Sequence, residues 1–133
     1  MNIQVVATDE APKAVAAYSQ AVVAQGIVYL SGQIGLDPGT GELVPGGVGA
    51  QAERVLQNLA AVLAAAGSSF DQALKVTIYL TSIADFPVVN ELYARYVAAG
   101  HPPARATVAV SALPRGALVE IEMVALVVKP FPE

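Results

Sequence analysis

From Gln51 to Ala66 the apolar residues Ala52, Val55, Leu56, Leu59, Val62, Leu63 and Ala66 recur at three- and four-residue spacing, the period of a helix with one buried face. Gly67 follows as a left-handed stop. A second helix is expected after Asp85, a residue suited to N-capping, with Pro87 in its first turn and Val89, Leu92, Tyr93, Tyr96 and Val97 along its buried stripe. It stops at Gly100, and His101-Pro102-Pro103 prevents its continuation. Elsewhere the period shortens to two. Ala21 to Gln25 and Ile27 to Ser31 flank Gly26 as a hairpin, and Ser31-Gly32-Gln33 ends the second strand in a turn. In the stretch from Leu74 to Leu80, Leu74, Val76, Ile78 and Leu80 point one way and Lys75, Thr77 and Tyr79 the other. Ala104 to Val110 sets Ala106, Val108 and Val110 against Arg105 and Thr107. Leu118 to Val128 sets Val119, Ile121, Met123, Ala125 and Val127 against Glu120 and Glu122.

Strands, helix, strand, helix, strands is the order of an α+β domain, with two helices packed on one face of a single mixed β-sheet. The 133 residues suit one domain, 1–133, with no linker or solenoid repeat. The helices require the more apolar face of every strand, so Arg105, Thr107, Glu120 and Glu122 are expected on the face they leave uncovered. Leu118, Val124, Leu126, Val128 and Tyr79 share that face. An apolar open face holding an Arg and a Glu is suited to meeting another subunit or to walling a pocket.

Composition sharpens this. Hydrophobic residues make up 55% of the chain and charged residues 14%, against roughly 25% charged in an average domain. Disorder is excluded, and the excess of apolar surface needs a place to go. The mean hydropathy of +0.55 is high, yet the longest clean apolar run is the nine residues from Leu59 to Gly67, far short of the roughly 20 a spanning helix needs. No membrane association is expected. Asp9 and Glu10 precede any Lys, against a signal peptide, so a cytoplasmic location is the expectation.

A net charge of -4 without a basic stripe argues against nucleic acid as a partner. With no Cys and His101 the sole His, thiol nucleophiles, Cys/His metal sites and a Ser-His-Asp triad are poor readings, and no metal or cofactor is expected. Gly46-Gly47-Val48-Gly49 lacks a following Gly-Lys-Ser/Thr and reads as a flexible approach to the first helix. Arg105 opens a strand where it either grips a carboxylate ligand through two parallel hydrogen bonds or pairs with Glu120 or Glu122. Glu120 and Glu122 stand among apolar neighbours, either partly desolvated and useful in proton transfer or simply solvated or paired. Tyr18, Ser19 and Ser31 place hydroxyls beside strands. Asn90 lies in the first turns of the second helix, where an amide is usually exposed or capping.

Pro103-Ala104-Arg105-Ala106-Thr107-Val108, then Leu113-Pro114 and Val119-Glu120-Ile121-Glu122, resemble the C-terminal signature of the Rid (YjgF) family of reactive intermediate deaminases. Tyr18-Ser19-Gln20-Ala21, Ser31-Gly32-Gln33-Ile34, Leu36-Asp37-Pro38 through Gly41-Glu42-Leu43-Val44, and Asp85-Phe86 through Val89-Asn90 fall in the same order. The resemblance spans about Ala11 to Val127. It implies a chorismate-mutase-like fold, a homotrimer with three interfacial pockets, and hydrolysis of 2-imino acids such as 2-iminopropanoate and 2-iminobutanoate to 2-oxo acids and ammonia. By the same resemblance Arg105 clamps the substrate carboxylate and Glu120 handles water and proton transfers, while Tyr18, Ser31, Gly32, Asn90 and Thr107 line the pocket.

Four positions depart from the family pattern. Ala16-Ala17 replaces the usual Gly-Pro, Gly35 a frequent Pro, and Thr107 a frequent Cys. Other family roles stay open: an endoribonuclease or translation inhibitor, a non-catalytic trimer that binds small carboxylates, or a pathway-specific deaminase.

Overall fold

The computed structural model describes residues 2–129. Its strands are β1 (Gln4–Val6), β2 (Ala21–Ala24), β3 (Ile27–Gln33), β4 (Ala73–Leu80), β5 (Ala104–Ala109) and β6 (Val119–Leu126). They form one sheet in the order β1-β2-β3-β6-β4-β5. Only β4 and β5 run parallel, so the sheet is mixed. Helices α1 (Gly47–Ala65) and α2 (Phe86–Tyr96) pack against one face and against each other. Among the described residues no helix is long and apolar enough to cross a membrane.

The apolar stripe of α1 is the centre of the core: Ala52, Val55, Leu56, Leu59, Val62, Leu63 and Ala66 are all fully buried. Opposite them lie Val28, Val76, Ile78, Leu80, Val119, Ile121 and Ala125, also fully buried. Full burial contributes on the order of 1.5–3 kcal/mol for each large aliphatic side chain, so this seam holds the helices to the sheet. The left-handed Gly67 (φ +78°) ends the helix as its position suggests.

Several local expectations are corrected. The glycine run is not a flexible approach: Gly46 caps α1 with a left-handed backbone (φ 113°), and the helix begins at Gly47, a turn before Gln51. Asp85 does not cap α2 through its side chain, because it lies in a 3₁₀ turn, Ile83–Asp85, that leads into the helix. Ser31-Gly32-Gln33 does not turn out of β3. The register with β6 slips between Leu30, opposite Met123, and Gln33, opposite Ile121, so an extra residue is accommodated as a β-bulge. Leu74 is exposed beside a second irregularity between Ala73 and Lys75. Gly35, where the family often has Pro, is a close approach: a Cβ there would lie 2.8 Å from Gln51 Cα on α1. The short edge strand β1 has too few residues to show a period.

The largest correction concerns β5. Arg105 pairs with Val76, Thr107 with Ile78 and Ala109 with Leu80. Since those β4 residues face the helices, Arg105 and Thr107 face the helices too, and Ala106 and Val108 share the open face with Thr77 and Tyr79. The alternation was visible but its sense was not. β5 is the edge strand, where small residues are tolerated outward and a long Arg stem packs inward beside α2. On the rest of the sheet the uncovered face is as expected. Tyr29, Val124, Leu126, Tyr79, Glu120 and Glu122 share it, and Tyr29 (47% exposed), Leu126 (41%) and Val108 (42%) leave large apolar groups uncovered.

Candidate active site

The alternation of β6 sends Val119, Ile121 and Met123 into the core and leaves Glu120 on the open face, opposite Tyr79. The bulge in β3 brings Gly32 against it, so closely that a Cβ at position 32 would overlap the Glu120 carboxylate. Only glycine leaves that carboxylate in place. Burial, reinforced by the negative charge of Glu122, holds the Glu120 carboxyl above the usual carboxylate range. Glu122 also accepts a hydrogen bond from the Tyr79 hydroxyl at 3.2 Å. Desolvation and this carboxylate together push the Tyr79 hydroxyl up.

A cavity of about 740 Å³ opens beside Glu120, and Tyr18, Ser31, Gly32, Ile34 and Arg115 are among its walls. Each wall is tied down by local bonds. The Ser31 hydroxyl donates to Ser19 O at 2.6 Å and its amide to Gln20 O at 3.0 Å. The buried Gln20 side chain accepts from Thr8 N (2.7 Å) and donates to the carbonyls of Thr8, Ala11 and Pro12, which fixes the segment leading to Tyr18. In the Ala16-Ala17 departure, Tyr18 N donates to Ala16 O at 2.9 Å, so the loop keeps a tight turn without the usual Gly-Pro. Behind the wall residues Ile34 and Leu36, the fully buried Asn58 of α1 donates to their carbonyls at 3.4 Å and 3.0 Å. Arg115, whose backbone is left-handed (φ 62°), donates to Gly41 O at 3.1 Å and ties the loop Leu36–Gly41 to the turn before β6.

Arg105 is elsewhere. Its Nη1 donates to Asn90 Oδ1 at 2.6 Å, and its guanidinium carbon lies 5.2 Å from the Phe86 ring centroid and 5.1 Å from that of Tyr93. No carboxylate pairs with it among the described residues, where the one ion pair is Arg95 with Glu91. The alternative in which Arg105 bridges to Glu120 or Glu122 is therefore overturned: those acids stand on the other face of the sheet. The hydroxyls of Thr107 and Tyr93 are buried without a hydrogen-bond partner, and burial pushes the Tyr93 hydroxyl up against the opposing pull of Arg105.

Within one chain the candidates thus divide. Tyr18, Ser31, Gly32 and Glu120 meet at the cavity; Arg105, Asn90 and Thr107 meet at the β5–α2 edge. The sequence places Tyr93 on the buried stripe of α2 and gives neither it nor Phe86 a site role, although their spacing with Asn90 (86, 90, 93) marks one helical stripe. Arg115 was also passed over, and its Pro-Arg-Gly turn bears no signal of a cavity wall.

Comparison with known proteins shows the family. Residues 8–127 match the family model described as Endoribonuclease L-PSP. Protein DfrA of Myxococcus xanthus is 57% identical over 90% of this chain and 92% of its own. The 2-iminobutanoate/2-iminopropanoate deaminase of Rattus norvegicus is 49% identical over 92% of this chain and 89% of its own. Among solved structures, YyfA of Yersinia pestis, described as a protein of unknown function of the conserved Rid protein family, superposes with a TM-score of 0.93 at 48% identity, covering 95% of this chain and 100% of its own. By sequence model, by identity over nearly its whole length and by fold, the chain belongs to the endoribonuclease L-PSP family, the family of the Rid proteins.

Proposed function

We propose that this chain is a 2-imino acid deaminase, hydrolysing substrates such as 2-iminopropanoate and 2-iminobutanoate to the 2-oxo acid and ammonia. The observation that carries the reading is Arg105, a guanidinium held in place by α2 with no carboxylate of its own among the described residues. Such a group is ready to take the carboxylate of a small acid through parallel hydrogen bonds. The deaminase names of relatives 45–49% identical support the same chemistry.

An imine carbon is already electrophilic, so the protein has to position a water and manage protons. Glu120 takes a proton from the water as its oxygen attacks the imine carbon. It returns that proton to the nitrogen, giving a carbinolamine; the hydroxyl proton then passes through Glu120 to the same nitrogen, and the C–N bond breaks to release ammonia as the C–O bond becomes the carbonyl. A carboxyl with a raised pKa suits both steps near neutral pH. Ser31, Gly32, Tyr18 and Thr107 shape the remaining walls.

The two groups of residues lie on opposite faces of one sheet, so one copy holds half a site. A second copy whose β5 edge lies over the Glu120 cavity joins Arg105 of one chain to Glu120 of the next, and three such contacts close into a ring. The uncovered apolar face is suited to that contact.

The reading is tested by generating the imines with an amino-acid oxidase or a threonine dehydratase and following their decay. Wild type is expected to accelerate decay, and Arg105→Ala to lose about a hundredfold or more of kcat/KM, the scale of a lost bidentate charge contact. No acceleration by wild type, or unchanged acceleration by Arg105→Ala, removes it. RNA cleavage that persists in Arg105→Ala after repurification favours a nuclease. Binding of 2-oxo acids without turnover favours a carboxylate-binding module.

A further inference from the structure

Arg105 is the residue on which the proposed chemistry turns, and nothing in β5 itself orients it. β5 is an edge strand that pairs with β4 alone, and residues 104 to 106 are all exposed. An arginine there has a long flexible stem and several rotamers, and fixing it costs side-chain entropy that must be met before a ligand arrives. The contacts that meet it come from α2. Phe86, Asn90 and Tyr93 follow one another at spacings of four and three, hence along one stripe of the helix. Phe86 and Tyr93 present rings 5.2 and 5.1 Å from the guanidinium carbon, within the range of a cation–π contact. Asn90 Oδ1 accepts from Nη1 at 2.6 Å, which fixes rotation of the guanidinium plane and leaves its other N–H groups for a ligand.

Tyr93 is 4% exposed, and its hydroxyl has no partner. A buried hydroxyl left unpaired is a cost, so what this side chain contributes is its ring. We infer that Phe86, Asn90 and Tyr93 form a cradle that pre-orients Arg105 for a carboxylate, acting as positioning residues. The inference rests on the deaminase reading for the identity of that carboxylate and on geometry for the cradle itself. Asn90, which the family resemblance places in the pocket lining, is spent on the arginine through its carbonyl oxygen.

The experiment uses the full chain and two readouts that need no turnover. The Arg105 Nε–Hε signal in ¹⁵N-detected magnetic resonance reports guanidinium order, and calorimetric titration with 2-oxobutanoate reports carboxylate affinity. Tyr93→Leu is expected to weaken 2-oxobutanoate binding about tenfold, the scale of one partly desolvated cation–π contact, and to raise the amplitude of Arg105 motion. Tyr93→Phe keeps the ring, so it is expected to restore both to within about twofold, with an unchanged or higher Tm. In an Arg105→Ala background Tyr93→Leu should weaken binding no further, because the cradle then has nothing to hold. Additive losses in that background, an Arg105 signal indifferent to Tyr93→Leu, or a Tyr93→Phe variant as impaired as Tyr93→Leu would each overturn the cradle. Imine decay measured in parallel separates the two ideas. A cradle that orders Arg105 in a protein without deaminase activity sinks only the deaminase reading, and a deaminase with additive variants sinks only the cradle.

Discussion

Glu120 gains its unusual proton affinity from position alone. Burial in the sheet face is the larger cause and the Glu122 charge the smaller. In the folded chain it therefore holds its proton to a higher pH than in the unfolded chain. The native state binds more protons between the two values, so this residue lowers stability as pH rises through that window. Two outcomes follow. Glu120→Gln should remove this residue's contribution to the pH dependence of the urea midpoint, a fall as pH rises above the ordinary carboxylate range. It should also abolish the rising limb of kcat/KM, since the base form of Glu120 is the one that accepts the water proton. A pH–rate profile unchanged by the substitution would deny Glu120 the proton transfer. Gly32 belongs to the same scale. Its role follows from the space the carboxylate occupies, and the sequence shows only a glycine beside a serine.

At the scale of elements, α1 holds the cavity wall from behind. Asn58 is fully buried, accepts from Arg54 Nε at 3.0 Å and donates to the carbonyls of Ile34 and Leu36. Asn58→Leu keeps the volume and strands the Leu36 carbonyl, while Ile34 O keeps its bond from Leu36 N at 2.8 Å. The expected loss is about 1–3 kcal/mol, from one carbonyl left unpaired, read as a lower urea midpoint with an unchanged m-value. KM for the imino acid should rise as the wall loosens. Gln51 acts alongside it, accepting from Leu118 N at 2.8 Å, so α1 steadies both the loop after β3 and the start of β6.

Helices α1 and α2 were legible because helical periodicity is local: the residues that share a face are three and four apart in the chain. The sense of β5 was not. An alternating strand fits its pleat equally well either way up. The choice between Arg105 inward and Ala106 inward was made by pairing with Val76 and by the aromatic stripe of α2, both remote in sequence. The bulge at Ser31-Gly32 was hidden for a similar reason, since a slip in register exists only relative to a partner strand.

For the whole molecule, the open face is the feature with the widest consequence. It joins Tyr29, Val124, Leu126, Tyr79 and Val108 across neighbouring strands. In the ring proposed above it is covered by other copies. Wild type should then sediment at about three times the 13.6 kDa chain mass. Leu126→Glu, which places a charge on that face, should shift the protein toward monomer and lower imine turnover, although it lies away from the cavity lining. A wild-type monomer with full activity would contradict the shared site.

The sequence by itself determined the two helices, the strand periods, the apolar surplus and the family, because each is written in local spacing or in blocks of residues along the chain. Only the tertiary structure decided which way β5 faces, where β3 bulges, and that Arg105 and Glu120 stand on opposite sides of one sheet. Those depend on hydrogen-bond register between strands distant in sequence, a relation that no single stretch of chain contains.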